Sequence, residues 1–140
     1  MIKAGIDIGT NTALMVVADV ASDGSYSVLH DVHTLPRLGE GLITNGTINS
    51  DARIRARDAM RTFRNVLETS SPERILCVAT SAMREATNGA DVQRELEEAL
   101  EHPISIIDGT REAELTFLGA AGERNEPSLV IDIGGGSTEY

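Results

Sequence analysis

One motif occurs twice, near the two ends of this 140-residue chain. Residues 5–10 read GIDIGT and residues 130–137 read VIDIGGGS. In each copy an apolar run leads into Asp, Ile and Gly, followed by small hydroxylated residues. Asp7 and Asp132 stand 125 positions apart, a typical domain length. Two related units facing each other account for that spacing. The second copy starts just before Tyr140, so the chain reads as a fragment of a longer protein. The expected division is a first domain over 1–124 and the opening of a second, mostly absent one over 125–140.

The motif has a definite chemistry. Glycine after a strand lets the backbone turn tightly and aim several N–H groups at one point. Thr10, Asn11, Thr12, Ser137 and Thr138 add side-chain donors. The result is a pair of cups for phosphate oxygens. Asp7 and Asp132 would repel phosphate directly. They make sense if a hard cation such as Mg²⁺ lies between carboxylate and phosphate, often through water. The chain has neither the G-x-x-x-x-G-K-[ST] phosphate loop nor the G-x-G-x-x-G dinucleotide fingerprint.

Periodicity places the motif in an architecture. Apolar runs at Ile2–Ile8, Ala13–Val20 and Tyr26–Leu35 predict three strands, and their short connections favour an antiparallel meander. A glycine-bearing loop follows over Pro36–Asn49. Ser50 is the expected N-cap of a helix in which Ala52, Ala56, Ala59, Met60, Phe63, Val66 and Leu67 recur at three and four. Arg53, Arg57, Arg61 and Arg64 form a solvated stripe on that helix, which Pro72 ends. Ile75–Ala79 reads as a buried strand, Val92, Leu96 and Leu100 as a helix ending before Pro103, and Ile104–Ile107 as a short strand. Thr110 is the expected cap of a helix reaching about Gly122, with Glu112 at its second position. After a break at Asn125–Pro127, Leu129–Ile133 is a final strand. The order β-β-β-α-β-α-β-α-β implies an α/β fold with a mixed sheet and helices on its faces. Ligands of such sheets sit at the carboxyl ends of parallel strands, here near Gly9, Thr80, Asp108 and Gly134.

Composition narrows the function. A net charge of −10 argues against a nucleic-acid or anionic-membrane binder. With 3% aromatics, base-stacking platforms are not expected. No apolar run reaches the roughly 20 residues of a membrane span, and the N-terminus lacks a secretory leader pattern. A single cysteine, Cys77, excludes an internal disulfide framework and reads as an inert core residue. The expected location is cytoplasmic. Zinc is not expected, because Cys77 is alone and His30 and His33 point to opposite faces of a strand. His102 suits a helix end.

Five blocks, GIDIGTNT (5–12), RLGEGL (37–42), ATSAMREATNG (79–89), DGTREAELTFLGA (108–120) and VIDIGGGSTEY (130–140), resemble the exopolyphosphatase and guanosine pentaphosphate phosphatase family in order and spacing. That family belongs with sugar kinases, heat-shock ATPases and actin. The resemblance implies ribonuclease-H-like (actin-like ATPase) halves around a cleft. It further implies Mg²⁺-dependent hydrolysis of the terminal anhydride of polyphosphate, or of the 5′ terminal phosphate of guanosine pentaphosphate. Glu112 matches the catalytic glutamate. Asp7, Gly9, Thr10 and Asn11 match the first phosphate loop, and Asp132, Gly134, Ser137 and Glu139 the second; Gly135 and Thr138 are further phosphate-binding candidates, and Asp7, Asp132 and Glu139 are the candidates for the metal. Arg84 matches an arginine beside the cleft, and Arg37 is a further candidate there. The chain departs from the family at Asp108, usually Ser, and at Arg111 and Glu114, where Glu and Arg usually stand. A kinase or ATPase of the same superfamily and a guanosine tetraphosphate sensor are the alternative functions. A homodimer is compatible with the full-length protein. By itself, this piece is expected to hydrolyse little, its last strand disordered, folded back or paired with a second copy.

Overall fold

The structure, a computed structural model, describes residues 1–122 and 127–140, with Glu139 described by its backbone alone. The expected domain boundary at 124/125 and the start of the break at Asn125 lie outside the described residues.

Strands β1 (Ile2–Ile8), β2 (Ala13–Val20) and β3 (Tyr26–Thr34) form the meander. Both pairings are antiparallel, and the second is bulged between Val17 and Ala18. Next come α1 (Leu42–Asn45) and α2 (Ser50–Ser70), then β4 (Arg74–Ala79), which lies parallel to β1. Helices α3 (Ser81–Glu85) and α4 (Gly89–Leu100) lead to β5 (Ser105–Ile106), parallel to β4. Helix α5 (Gly109–Ala121) follows. The sheet order is β3-β2-β1-β4-β5. A separate ribbon pairs β6 (Asp132–Ile133) with β7 (Thr138–Glu139).

Strand alternation decides which side of the sheet is covered. Ala4, Ile6 and Ile8 of β1 and Ala13, Met15 and Val17 of β2 are buried. They meet Ala52, Ala56, Met60, Phe63 and Leu67 of α2 and Val92, Leu96 and Leu100 of α4 in one cluster. Each large side chain sealed there contributes about 1.5–3 kcal/mol. Asp7 points the other way, as period two requires. Both crossover helices pack on the same face, so β4 is not buried throughout as expected. Cys77, Val78 and Ala79 are buried, while Leu76, on the opposite face, is half exposed.

Two helix starts differ from expectation by a residue or two. The side chain of Asn49, not Ser50, caps α2 by accepting the Ala52 N–H at 2.8 Å. Asp108, not Thr110, caps α5 by accepting the Arg111 N–H at 2.8 Å. In both places the side chain with the longer reach holds the orphan donor. Glu112 is thus the fourth residue of its helix, still in the first turn. The loop expected over 36–49 contains the short α1. The final strand is shorter than Leu129–Ile133: only Asp132 and Ile133 pair, by folding back on β7, while Leu129 and Ile131 are exposed. The arginine stripe is not wholly solvated. Arg53 makes a two-pronged ion pair with Glu95, tying α2 to α4, and the pairing raises the Arg53 pKa and lowers that of Glu95.

The turn before α4 is clamped. Asn88 Oδ1 accepts the Ile48 N–H and Asn88 Nδ2 donates to the Ile48 carbonyl, both at 2.9 Å. Next to it, a Cβ on Gly89 would lie 2.0 Å from the Met83 carbonyl oxygen. No helix among the described residues is long and apolar enough to cross a membrane.

Two outcomes follow from this packing. Gly89→Ala forces backbone apart and is expected to cost about 1–3 kcal/mol, read from the urea midpoint. Cys77 is buried and its thiol is pushed up to about 12 by that burial first and by Asp7 next. It should resist a thiol reagent near neutral pH in the folded protein and react once the chain is unfolded.

Candidate active site

The repeated motif builds the same hairpin twice. In the first copy Asp7 pairs with Leu14 and Ile8 with Ala13, and the Gly9 N–H donates to the Thr12 carbonyl at 2.8 Å. In the second, Asp132 pairs with Glu139 and Ile133 with Thr138, and the Gly134 N–H donates to the Ser137 carbonyl at 3.0 Å. Even the crowding matches. A Cβ on Gly9 would lie 3.2 Å from Thr12 O, and one on Gly134 would lie 3.3 Å from Ser137 O.

The two turns are pressed together. A Cβ on Gly135 would fall 2.2 Å from Asn11 Nδ2, and one on Gly136 would fall 2.7 Å from Thr10 Oγ1. Close approach constrains position 136, where a Cβ would also lie 2.6 Å from the buried Ser81 hydroxyl, more than position 135, where it would meet only the exposed Asn11 side chain. The RLGEGL block braces the first turn from outside. The Arg37 N–H donates to Asn11 O at 3.0 Å and the Gly39 N–H to Thr10 O at 2.9 Å. Arg37 adopts φ 55°, a left-handed conformation uncommon for a side chain of this size, and its residue is exposed.

Beside the joined turns is a hollow of about 240 Å³ lined by Asp7, Val78, Thr80, Ile107, Glu112, Leu115, Thr116 and Asp132. It opens at the carboxyl end of β1 and β4, against the start of α5. Three carboxylates expected from sequence therefore share one space. Asp7 is open to solvent on one side, yet its pKa lies above the ordinary aspartate value. Partial removal from water is the larger cause and the charge of Asp132 the second. Asp132 Oδ2 accepts from Thr116 Oγ1 at 3.2 Å. The Glu112 side chain is only 14% exposed and meets Arg84 Nη1 at 3.3 Å. The same nitrogen donates to the Ile107 carbonyl at 2.7 Å, so one arm of the guanidinium is anchored to the rim.

Other expected residues lie around this space. Gly9, Thr10, Asn11, Gly134, Gly135 and Ser137 form the paired turns next to the hollow. Thr138 instead lines a larger groove of about 800 Å³ with Phe117, Leu118, Leu129 and Tyr140. That groove is mainly apolar and lacks paired carboxylates, so the smaller hollow is the chemical candidate. The side chain of Glu139 lies outside the described residues. Thr116 and Ser81 were not singled out by the sequence. Both sit inside the quoted blocks, but their positions are set only by packing. Among the described residues no group of three or more His, Cys, Asp or Glu is placed to hold a metal by itself. Two facing carboxylates with hard oxygen donors nevertheless fit Mg²⁺, which takes one or two carboxylates and completes its shell with water and phosphate.

The departures around Glu112 keep this arrangement. Asp108 fills the capping role that serine also fills. Arg111 and Glu114 form an exposed ion pair at 2.8 Å on the outer side of α5. Glu112 itself faces inward, lining the hollow beside Arg84.

Comparison with known proteins agrees with this geometry. The chain is 39% identical over 150 aligned positions to exopolyphosphatase 2 of Mycobacterium tuberculosis, covering 97% of this chain and 46% of that protein. The crystal structure of an exopolyphosphatase-like protein superimposes with a TM-score of 0.90 at 36% identity, over 98% of this chain and 43% of that one. An exopolyphosphatase from Cytophaga hutchinsonii gives a TM-score of 0.89 at 31% identity, over 99% of this chain and 45% of that one. The chain spans about half the length of the relatives it matches. Its fold is the mixed α/β, ribonuclease-H-like fold of these proteins. The model of the Ppx/GppA phosphatase family matches residues 16–140, and the chain belongs to that family.

Proposed function

We propose that the full-length protein is a Mg²⁺-dependent exopolyphosphatase that releases terminal phosphate from inorganic polyphosphate. The observation that carries this reading is the single hollow in which Asp7, Glu112 and Asp132 converge beside two matching glycine turns. The names of the relatives support polyphosphate as the substrate.

Anhydride hydrolysis needs an in-line water, a base, and compensation for negative charge. Glu112, partly sheltered and held by Arg84, is the base that orients the water and takes its proton. The backbone N–H groups and hydroxyls of the turns, with Gly9, Thr10, Asn11, Gly134 and Ser137, hold phosphate oxygens. Among the described residues only Nη1 of Arg84 is engaged, as its anchor, so Nε and Nη2 would donate to an anion. Asp7 and Asp132 would hold Mg²⁺, which when bound supplies positive charge to phosphate oxygens. That charge matters because a chain at −10 otherwise repels a polyanion.

The direct test is phosphate release by the full-length protein from polyphosphate and from guanosine pentaphosphate side by side, with Mg²⁺ and with excess chelator. Preferential, chelator-sensitive release from polyphosphate is expected, and full rate in chelator would remove the metal role. Glu112→Gln should lower kcat at least ~10²-fold. The folded chain binds the Asp7 proton more tightly than the unfolded chain does. Ionised Asp7 therefore destabilises the metal-free fold above its folded pKa, and the penalty fades as pH falls through the ordinary value of 3.8. Asp7→Asn should raise the metal-free Tm near neutral pH, lose that advantage in acid, and abolish the further rise that Mg²⁺ gives the unsubstituted protein.

A further inference from the structure

Ser81 is only 1% exposed, yet no step above uses it. Its hydroxyl lies 2.8 Å from Thr10 Oγ1, a contact across 71 residues of sequence. Gly136 closes over the pair: a Cβ there would lie 2.6 Å from Ser81 Oγ and 2.7 Å from Thr10 Oγ1. On the far side the Thr10 methyl is held against Gly39, where a Cβ would lie 2.3 Å from Thr10 Cγ2. Both turns and the start of α3 therefore meet on two hydroxyls.

Burial fixes the direction of the hydrogen bond. Each hydroxyl has one proton and two lone pairs. The Ser81 side chain is sealed from water, and Thr10 Oγ1 is the acceptor that the described residues offer it. If Thr10 donated to Ser81, the Ser81 proton would be buried without a partner, which protein interiors avoid. Ser81 therefore donates, and the Thr10 proton is left for an acceptor outside the pair.

We infer that Ser81 is a positioning residue that presets the Thr10 hydroxyl as a donor to a phosphate oxygen of the substrate. This rests on the phosphatase reading above. It assigns no direct contact between Ser81 and substrate.

A double-mutant cycle in the full-length protein tests it, with tripolyphosphate as the probe. Thr10→Val should raise KM roughly tenfold, the worth of one hydrogen bond to a charged group. Ser81→Ala should raise KM by about fivefold to tenfold, with kcat within about twofold, as expected when ground state and transition state lose the same contact. In the Thr10→Val background, Ser81→Ala should change KM no further. An equal rise in both backgrounds, or no rise with Thr10 present, overturns the inference. Melting temperatures show whether each variant is folded, and a structural role alone would lower them without this dependence on Thr10. Calorimetric binding of tripolyphosphate reads the same cycle without turnover. Binding that follows the cycle in a protein that releases no phosphate would overturn the phosphatase reading and leave Ser81 in its role. Turnover with an additive cycle would do the reverse.

Discussion

Two carboxylates of like charge face one another across a small hollow, and the surrounding structure is arranged so that they stay there. Asp7 lies near the end of β1 and Asp132 begins the ribbon of β6, and the Asp7 pKa is raised by partial removal from water first and by the charge of Asp132 second. A folded chain tolerates such a pair when a cation can enter between the groups. On the proposed reading, that repulsion would favour a metal ion and, through it, phosphate. On the same reading, stability and function pull in opposite directions at Asp7, a common relation at reactive sites.

Rigidity around the carboxylates comes from close packing rather than from extra charge. The two turns touch at Gly135, beside the Asn11 side chain, and at Gly136, against the hydroxyls of Thr10 and buried Ser81. Arg37 and Gly39 brace the first turn through backbone hydrogen bonds to Asn11 and Thr10. Arg84 fastens Glu112 to the Ile107 carbonyl at the mouth of the sheet. Asp7 and Arg84 stand near the ends of elements that carry the core, β1 and α3. Arg111 and Glu114 pair with each other at the exposed surface of α5 and leave the Glu112 contact to Arg84 intact.

Much of this was legible in the residues. Alternation in β1 and β2 and the three-four spacing of α2 gave the correct elements, because these segments are long and strongly periodic. Errors gathered at ends. Asn49 and Asp108 displaced Ser50 and Thr110 as caps, since neighbouring side chains compete for the same N–H groups and local sequence does not rank them. Leu76 is half exposed because both crossover helices chose the same face of the sheet, a decision that no single strand records. Thr116 and Ser81 carry no sequence signal, because a lone hydroxyl residue has no distinguishing pattern until a partner lies beside it.

Glu112 was a candidate through the family resemblance, while the residues by themselves determined the first hairpin, the inward-facing period of strands and helices, and the repeated aspartates Asp7 and Asp132. These are local matters, governed by steric limits of the backbone and by alternation of apolar side chains. Only the tertiary structure decided that the three carboxylates share one hollow, that the two turns touch through glycine, and that Ser81 reaches Thr10. Those contacts join segments far apart in the chain, and their distances are fixed by how a whole core closes.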